Sequence, residues 1–99
     1  MKAIYKHTKA NIYSHKTWLN STTPETLKET YDTLLRKVGF TIVLFNEHHF
    51  QERGYTCFWL LAESHLAIHT FPESGKSYLE LSSCNKEKLD LFILKTSTA

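Results

Sequence analysis

The chain has 99 residues, 12 Lys and Arg against 10 Asp and Glu, and 41% apolar residues. That is the composition of one ordinary globular domain, with a core kept thin by its size, since a chain this short buries only about two-thirds of its unfolded surface. The net charge of +2 is scattered, so the basic stripe that nucleic acid requires is missing.

No apolar run approaches the ~20 residues that span a bilayer. The N-terminal M-K-A-I-Y-K-H-T-K lacks the apolar stretch of a secretory signal. Cys57 and Cys84 make no disulfide framework. A cytoplasmic, thiol-reducing setting is expected, with no nucleic-acid and no membrane partner.

Residues 2 to 15 hold a weak alternation around Ile4, Ile12 and Tyr13, read as a first strand. Ser21-Thr22-Thr23-Pro24-Glu25 is a helix start: Thr23 can cap, and Pro24 suits the first helical position, where its missing N–H costs nothing. Tyr31, Leu34, Leu35 and Val38 then recur 4, 7, 8 and 11 residues from Leu27, which is one apolar helical stripe. Gly39 is the stop, because glycine tolerates the left-handed closing turn.

Phe40 to Phe45 reads as a strand apolar on both faces, and Asn46 to Arg53 as a polar connection containing His48, His49 and Phe50. Tyr55 to Ala62 is the next strand and Leu66 to Phe71 another, ended by Pro72. Glu73 to Ser77 is a turn with Gly75. Tyr78 to Ser83 is the last strand, with Leu79 and Leu81 on one face and Tyr78, Glu80 and Ser82 on the other. Asn85 can cap a final helix carrying Leu89, Leu91, Phe92, Ile93 and Leu94. The order predicts an α+β layer: a mainly antiparallel sheet with two helices on one face. Because the strands at 40–45 and 55–62 are apolar on both faces, the second face is expected to pack in a homodimer, with site residues near the shared surface.

Leu61 to Glu73, L-A-E-S-H-L-A-I-H-T-F-P-E, places two carboxylates, a serine and two histidines inside an apolar run. Alternation puts Leu66 and Ile68 on the helix side and His69 on the other, and places Cys84 on the same side as His69. Three chemistries compete with an inert core histidine and cysteine. In a metal site, His65 and His69 would join Cys84. On a helix their spacing would bring them together, but on a strand it sets them ~13 Å apart at ~3.3 Å per residue. A Ser-His or Cys-His nucleophile pair depends on spatial contacts that sequence does not give.

The third chemistry breaks the backbone. The Ser64 hydroxyl attacks the Glu63 carbonyl and turns the amide into an ester. Loss of the Ser64 α-proton eliminates the Glu63 carboxylate and leaves dehydroalanine, and hydrolysis releases ammonia and leaves a pyruvoyl group. Such a reaction needs a strained or polarised peptide, an acid–base group and a nearby hydroxyl; His69 and Thr56 are of the right types.

A-E-S-H-L-A-I-H-T-F-P-E, residues 62–73, strongly resembles A-E-S-H-L-S-I-H-T-W-P-E, the signature of the small prokaryotic S-adenosylmethionine decarboxylases. These are pyruvoyl enzymes made by self-cleavage at that Glu-Ser bond. H-H-F-Q-E-R-G-Y-T resembles the family's H-x-F-x-x-x-G-x-S, and Y-L-E-L-S-S-C-N resembles A-V-D-x-F-T-C-G, both at matching distance from the serine. The coverage is residues 48 to 84.

The resemblance implies a single domain, 1–99, that cleaves itself into 1–63 and 64–99. Ser64 becomes the pyruvoyl group that forms a Schiff base with the substrate amine, and Glu63 the new C-terminus. His69 assists processing, supported by Thr56, which stands where the family usually has a serine. Cys84 donates the proton after carbon dioxide leaves. Phe50 stacks on the adenine, and Glu73 bonds the ribose hydroxyls. Phe71, beside the pocket, replaces a usual tryptophan.

The implied cofactor is the pyruvoyl group alone, an electron sink like pyridoxal phosphate, with no metal and no pyridoxal phosphate itself. The implied partners are a small-molecule substrate and a second copy of the chain. The implied substrate is S-adenosylmethionine, supplying aminopropyl groups for spermidine synthesis. A pyruvoyl decarboxylase of ornithine or arginine is the alternative; it would need an acid for a distal cation, with Glu47, Glu52, Glu73 or Glu80 at hand. A non-catalytic homologue that never cleaves is the reading from a different class; the presence of both His69 and Cys84 speaks against it.

Overall fold

The computed structural model describes residues 11–97. Five strands form one wholly antiparallel sheet, ordered β1-β5-β4-β3-β2: β1 Tyr13–Leu19, β2 Ile42–His49, β3 Tyr55–Leu61, β4 Ser64–Phe71 and β5 Lys76–Ser83. Helix α1, Pro24–Val38, joins β1 to β2, and α2, Lys86–Ser97, follows β5. The first strand lies later than the alternation suggested, at 13–19; the part of that reading before residue 11 lies outside the described residues.

The helix α1 begins and ends where its sequence says it should. Pro24 takes the first position, and the Thr23 carbonyl accepts the Leu27 N–H at 3.0 Å. The Thr23 hydroxyl makes no capping bond, so Thr23 occupies the cap position through its backbone alone. At the far end Gly39 sits at φ 104. Its N–H reaches the Arg36 carbonyl at 3.1 Å, and the Phe40 N–H reaches the Leu35 carbonyl at 3.0 Å. That pair of bonds is a Schellman closure, and Phe40 and Leu35 are both buried beside it. In α2 the expected Asn85 cap is made: its Oδ1 accepts the Lys88 N–H at 3.1 Å.

Both helices share one core with a single face of the sheet. Leu27, Tyr31, Leu35 and Val38 of α1 and Leu89 and Phe92 of α2 meet Cys57, Trp59, Leu61, Leu66, Ile68, Leu79 and Leu81. In β2, Ile42 and Phe45 both face this core although they are three residues apart. A bulge at Val43 makes this possible, because Ile42 pairs Leu61 while Leu44 already pairs Leu60. The strand then runs on to His49, so the segment read as a connection from Asn46 is strand for its first half. His48 and His49 continue the pairing against Thr56 and Tyr55.

The other face carries no helix among the described residues. Register places Trp18, Leu44, Phe58, Leu60, Ala67, His69, Phe71 and Tyr78 on it. Trp18, Leu44, Leu60 and Phe71 are all exposed there.

Candidate active site

Ala62 and Glu63 alone join β3 to β4, with Leu61 paired to Ser64 across the turn. Among the described non-glycine residues, only Glu63 has a positive φ, 61°. A side chain in that region costs ~1–2 kcal/mol, and the turn places this strain on the residue whose carbonyl precedes Ser64.

The end of β5 then closes around the same peptide. Ser64 and Ser83 are register partners with side chains on the helix side, 9% and 1% exposed. The Ser64 hydroxyl donates to the Ser83 Oγ at 2.7 Å. The Cys84 N–H donates to the Glu63 carbonyl at 3.2 Å. A donor on that oxygen polarises the carbonyl carbon and would stabilise negative charge arising on it. The Cys84 thiol is exposed, and Cys84 lines a surface depression with Ser64, Glu63, Leu60, His65 and Ser82. The Ser64 hydroxyl, the Glu63 carbonyl and the Cys84 thiol are therefore one cluster at this end of the sheet. A strained, polarised Glu63–Ser64 peptide beside a buried hydroxyl suits conversion of Ser64 to a pyruvoyl group.

The remaining candidates lie at the opposite end of the sheet. Thr56 and His69 are cross-strand neighbours, with Oγ1 and Nδ1 3.0 Å apart. Phe50 lies in the β2–β3 loop, exposed, with the His48 ring edge-on at 4.6 Å. Glu73 lies in the 3-10 turn Pro72–Ser74 that follows Phe71. His69 and Ser64 sit five residues apart on one extended strand, about 17 Å at ~3.3 Å per residue, and their side chains take opposite faces. The shared face of His69 and Cys84 thus does not bring them together within one chain.

Several other charged and thiol groups are committed elsewhere. Glu47 faces the helices, where it accepts from Lys28 Nζ at 2.9 Å and the Tyr55 hydroxyl at 2.8 Å. Those bonds, Lys28 first, hold its carboxyl below the usual range. Burial pushes the Cys57 thiol up to about 12. No group of three or more His, Cys, Asp or Glu among the described residues is arranged to hold a metal ion. None of the described helices is long and apolar enough to cross a membrane.

Two residues in these clusters were not singled out by the sequence. Ser83 gains its place from register, which the second serine of Ser82-Ser83 before Cys84 does not announce. Trp18 packs against Tyr78 at 5.4 Å and Phe71 at 5.8 Å, making an aromatic group beside His69, whose register partner is Tyr78. Its only signal was an aromatic residue between Thr17 and Leu19 in an edge strand.

The family model described as S-adenosylmethionine decarboxylase matches residues 6–95. The S-adenosylmethionine decarboxylase proenzyme of Prochlorococcus marinus (strain MIT 9313) is 36% identical over 63 residues, 64% of this chain and 50% of that protein. That of Parasynechococcus marenigrum (strain WH8102) is 40% identical over 58 residues, 59% of this chain and 45% of that one. The chain thus spans about half the length of these curated relatives. The crystal structure of the adenosylmethionine decarboxylase from Aquifex aeolicus VF5 superposes with a TM-score of 0.62 at 23% identity, covering 84% of this chain and 75% of that one, and shares the fold.

Proposed function

This chain belongs to the S-adenosylmethionine decarboxylase family, and from that premise we propose that it is a self-processing, pyruvoyl-dependent decarboxylase acting on S-adenosylmethionine. One observation carries the reading. The Glu63–Ser64 peptide follows a residue at φ 61, its carbonyl accepts the Cys84 N–H, and Ser64 holds a buried hydroxyl beside it. Cleavage there yields 1–63 and 64–99, the second beginning with a pyruvoyl group made from Ser64. That group supplies an electron sink for loss of the substrate carboxylate.

The chain's own residues do the rest. The exposed Cys84 thiol, in the same depression as Ser64, donates the proton that replaces carbon dioxide. Thr56 and His69 act as a bonded pair in processing. Phe50 stacks on the adenine and Glu73 holds the ribose hydroxyls, with Phe71 alongside. The product would supply aminopropyl groups for spermidine, in the cytoplasm.

The two clusters are ~17 Å apart in one protomer, so a complete site needs a second copy. A homodimer packed through the uncovered sheet face would set Ser64 and Cys84 of one protomer beside Thr56, His69, Phe50 and Glu73 of its partner. The exposed apolar side chains on that face support the arrangement. The aromatic group at the His69 end suits an adenosyl substrate better than a basic amino acid. Glu47, one candidate acid for a distal cation, is already held by Lys28 and Tyr55.

Denaturing mass spectrometry tests the reading. The wild-type chain should give fragments 1–63 and 64–99, the latter with a blocked N-terminus, and Ser64→Ala one intact chain. Cleaved protein should release carbon dioxide from S-adenosylmethionine and not from ornithine or arginine. Release only from a basic amino acid would reassign the substrate. An uncleaved wild-type chain that releases nothing would leave a binding homologue.

A further inference from the structure

The proposed reading requires the Ser64 hydroxyl to turn on its own preceding carbonyl, and a serine hydroxyl is free to rotate unless something holds it. Ser83 holds it here. The Asn85 N–H donates to the Ser83 Oγ at 3.0 Å, and the Ser83 hydroxyl hydrogen is directed at the Asn85 carbonyl at 3.3 Å. With its hydrogen and one lone pair engaged by the same residue, the Ser83 oxygen meets Ser64 as an acceptor. The 2.7 Å bond between the two hydroxyls therefore has a fixed sense, Ser64 giving and Ser83 receiving. Both side chains are largely buried, which limits competition from water for that hydrogen.

We propose that Ser83 is a positioning residue for self-processing: by accepting the Ser64 hydrogen it orients that hydroxyl for attack on the Glu63 carbonyl. The inference rests on the processing reading above and extends it to a residue that reading does not use. In the step concerned, a bond forms between Ser64 Oγ and the Glu63 carbonyl carbon, and the Glu63–Ser64 carbon–nitrogen bond breaks. The Oγ proton is given up, and the nitrogen leaves as an amine carrying one more proton. Drawing the hydrogen towards Ser83 turns the oxygen lone pairs away from Ser83 and makes Oγ the better nucleophile. The carbonyl under attack is polarised at the same time by the next residue's N–H, that of Cys84. Ser83 and Cys84 thus hold the two reacting ends, one from the last residue of β5 and the other from the residue that follows it. Once Ser64 is converted, its Oγ has left with the Glu63 carboxylate, so this role belongs to the proenzyme alone.

The experiment follows the appearance of fragment 64–99 with time, by denaturing gel and mass, in freshly synthesised full-length chains. Ser83→Ala should slow cleavage by about tenfold, the effect of losing one orienting hydrogen bond in the transition state. Ser83→Thr, which keeps the hydroxyl, should restore it. Thermal midpoints are measured on the same substitutions in a Ser64→Ala background, where no chain can cleave, and should stay close to the parent. Should Ser83→Ala fail to fold, Ser83→Cys, a weaker acceptor of similar size, takes its place with the same expected slowing. Wild-type cleavage with an unchanged rate in Ser83→Ala overturns this proposal alone. So does slowing that Ser83→Thr fails to rescue and that tracks a fallen midpoint. A wild-type chain that never cleaves overturns the processing reading, and this inference falls with it.

Discussion

Cys57 and Cys84 are the same side chain in opposite settings. Cys57 is fully buried under the helices, and loss of solvent holds its thiol at about 12, so the nucleophilic thiolate is absent at neutral pH. Cys84 is exposed at the mouth of the Ser64 depression. Iodoacetamide should therefore label one thiol per native chain, located at Cys84 by peptide mass, and a second only in urea. Labelling of Cys57 in folded protein would contradict its burial. Glu63 offers a second test at this scale. Glycine adopts φ 61 without the ~1–2 kcal/mol that a side chain bears there, so Glu63→Gly removes strain that cleavage would release. Cleavage of that variant should be slower than wild type, with stability changed by less than about 1 kcal/mol in urea titration, because glycine's greater unfolded-state entropy offsets the relief.

The elements differ in how far their sequences announce them. Helix α1 was legible from end to end, because a proline start, an i, i+4 stripe and a glycine stop are all local signals. Its stripe makes a matching prediction: Leu35→Ala, at 0% exposure, should cost about 3 kcal/mol, whereas Leu94→Ala, at 61% on α2, should stay within about 0.5 kcal/mol. Strand β2 was legible only to Phe45. The Val43 bulge breaks its alternation, and His48 and His49 read as loop although their backbones pair with β3. Glu47 in that hidden stretch ties β2 to α1 and β3, and its depressed carboxyl pKa gives a pH test. A group whose folded pKa is lowered stabilises the fold above its unfolded pKa and ceases to do so as pH falls through the folded value. Glu47→Gln should thus lose some stability at neutral pH, first through the Lys28 ion pair and then through the weakened bond from the Tyr55 hydroxyl, and the gap should narrow as pH falls from about 4.3, the unfolded value of a glutamate. In the same way the motif named Ser64, His69 and Cys84, but register alone sets Ser83 against Ser64 and sends His69 to the far end of β4.

At the scale of the molecule, one sheet face is covered by two helices and the other exposes Trp18, Leu44, Leu60 and Phe71. Exposed apolar side chains on a face opposite the core are what the dimer proposed above would cover. On that proposal the Ser64–Cys84 cluster of one chain would meet the Thr56–His69 pair of the other, and mixing experiments can test it. Alone, Ser64→Ala has no residue to convert, and His69→Ala lacks the processing histidine in every site; both should remain as single uncleaved chains. Co-expressed, they form mixed dimers with one site that combines Ser64 from the His69→Ala chain with His69 from the Ser64→Ala chain. The other site in each mixed dimer has neither. Cleavage should therefore return, confined to the His69→Ala chain and reaching at most about half of it under random pairing. Distinguishable tags on the two chains make that reading direct on a denaturing gel. If His69 acted within its own chain, no mixture would be cleaved. Leu60→Glu on both chains should abolish the rescue as well, because a charge on the apolar face would leave monomers in sedimentation while circular dichroism stays that of the folded chain.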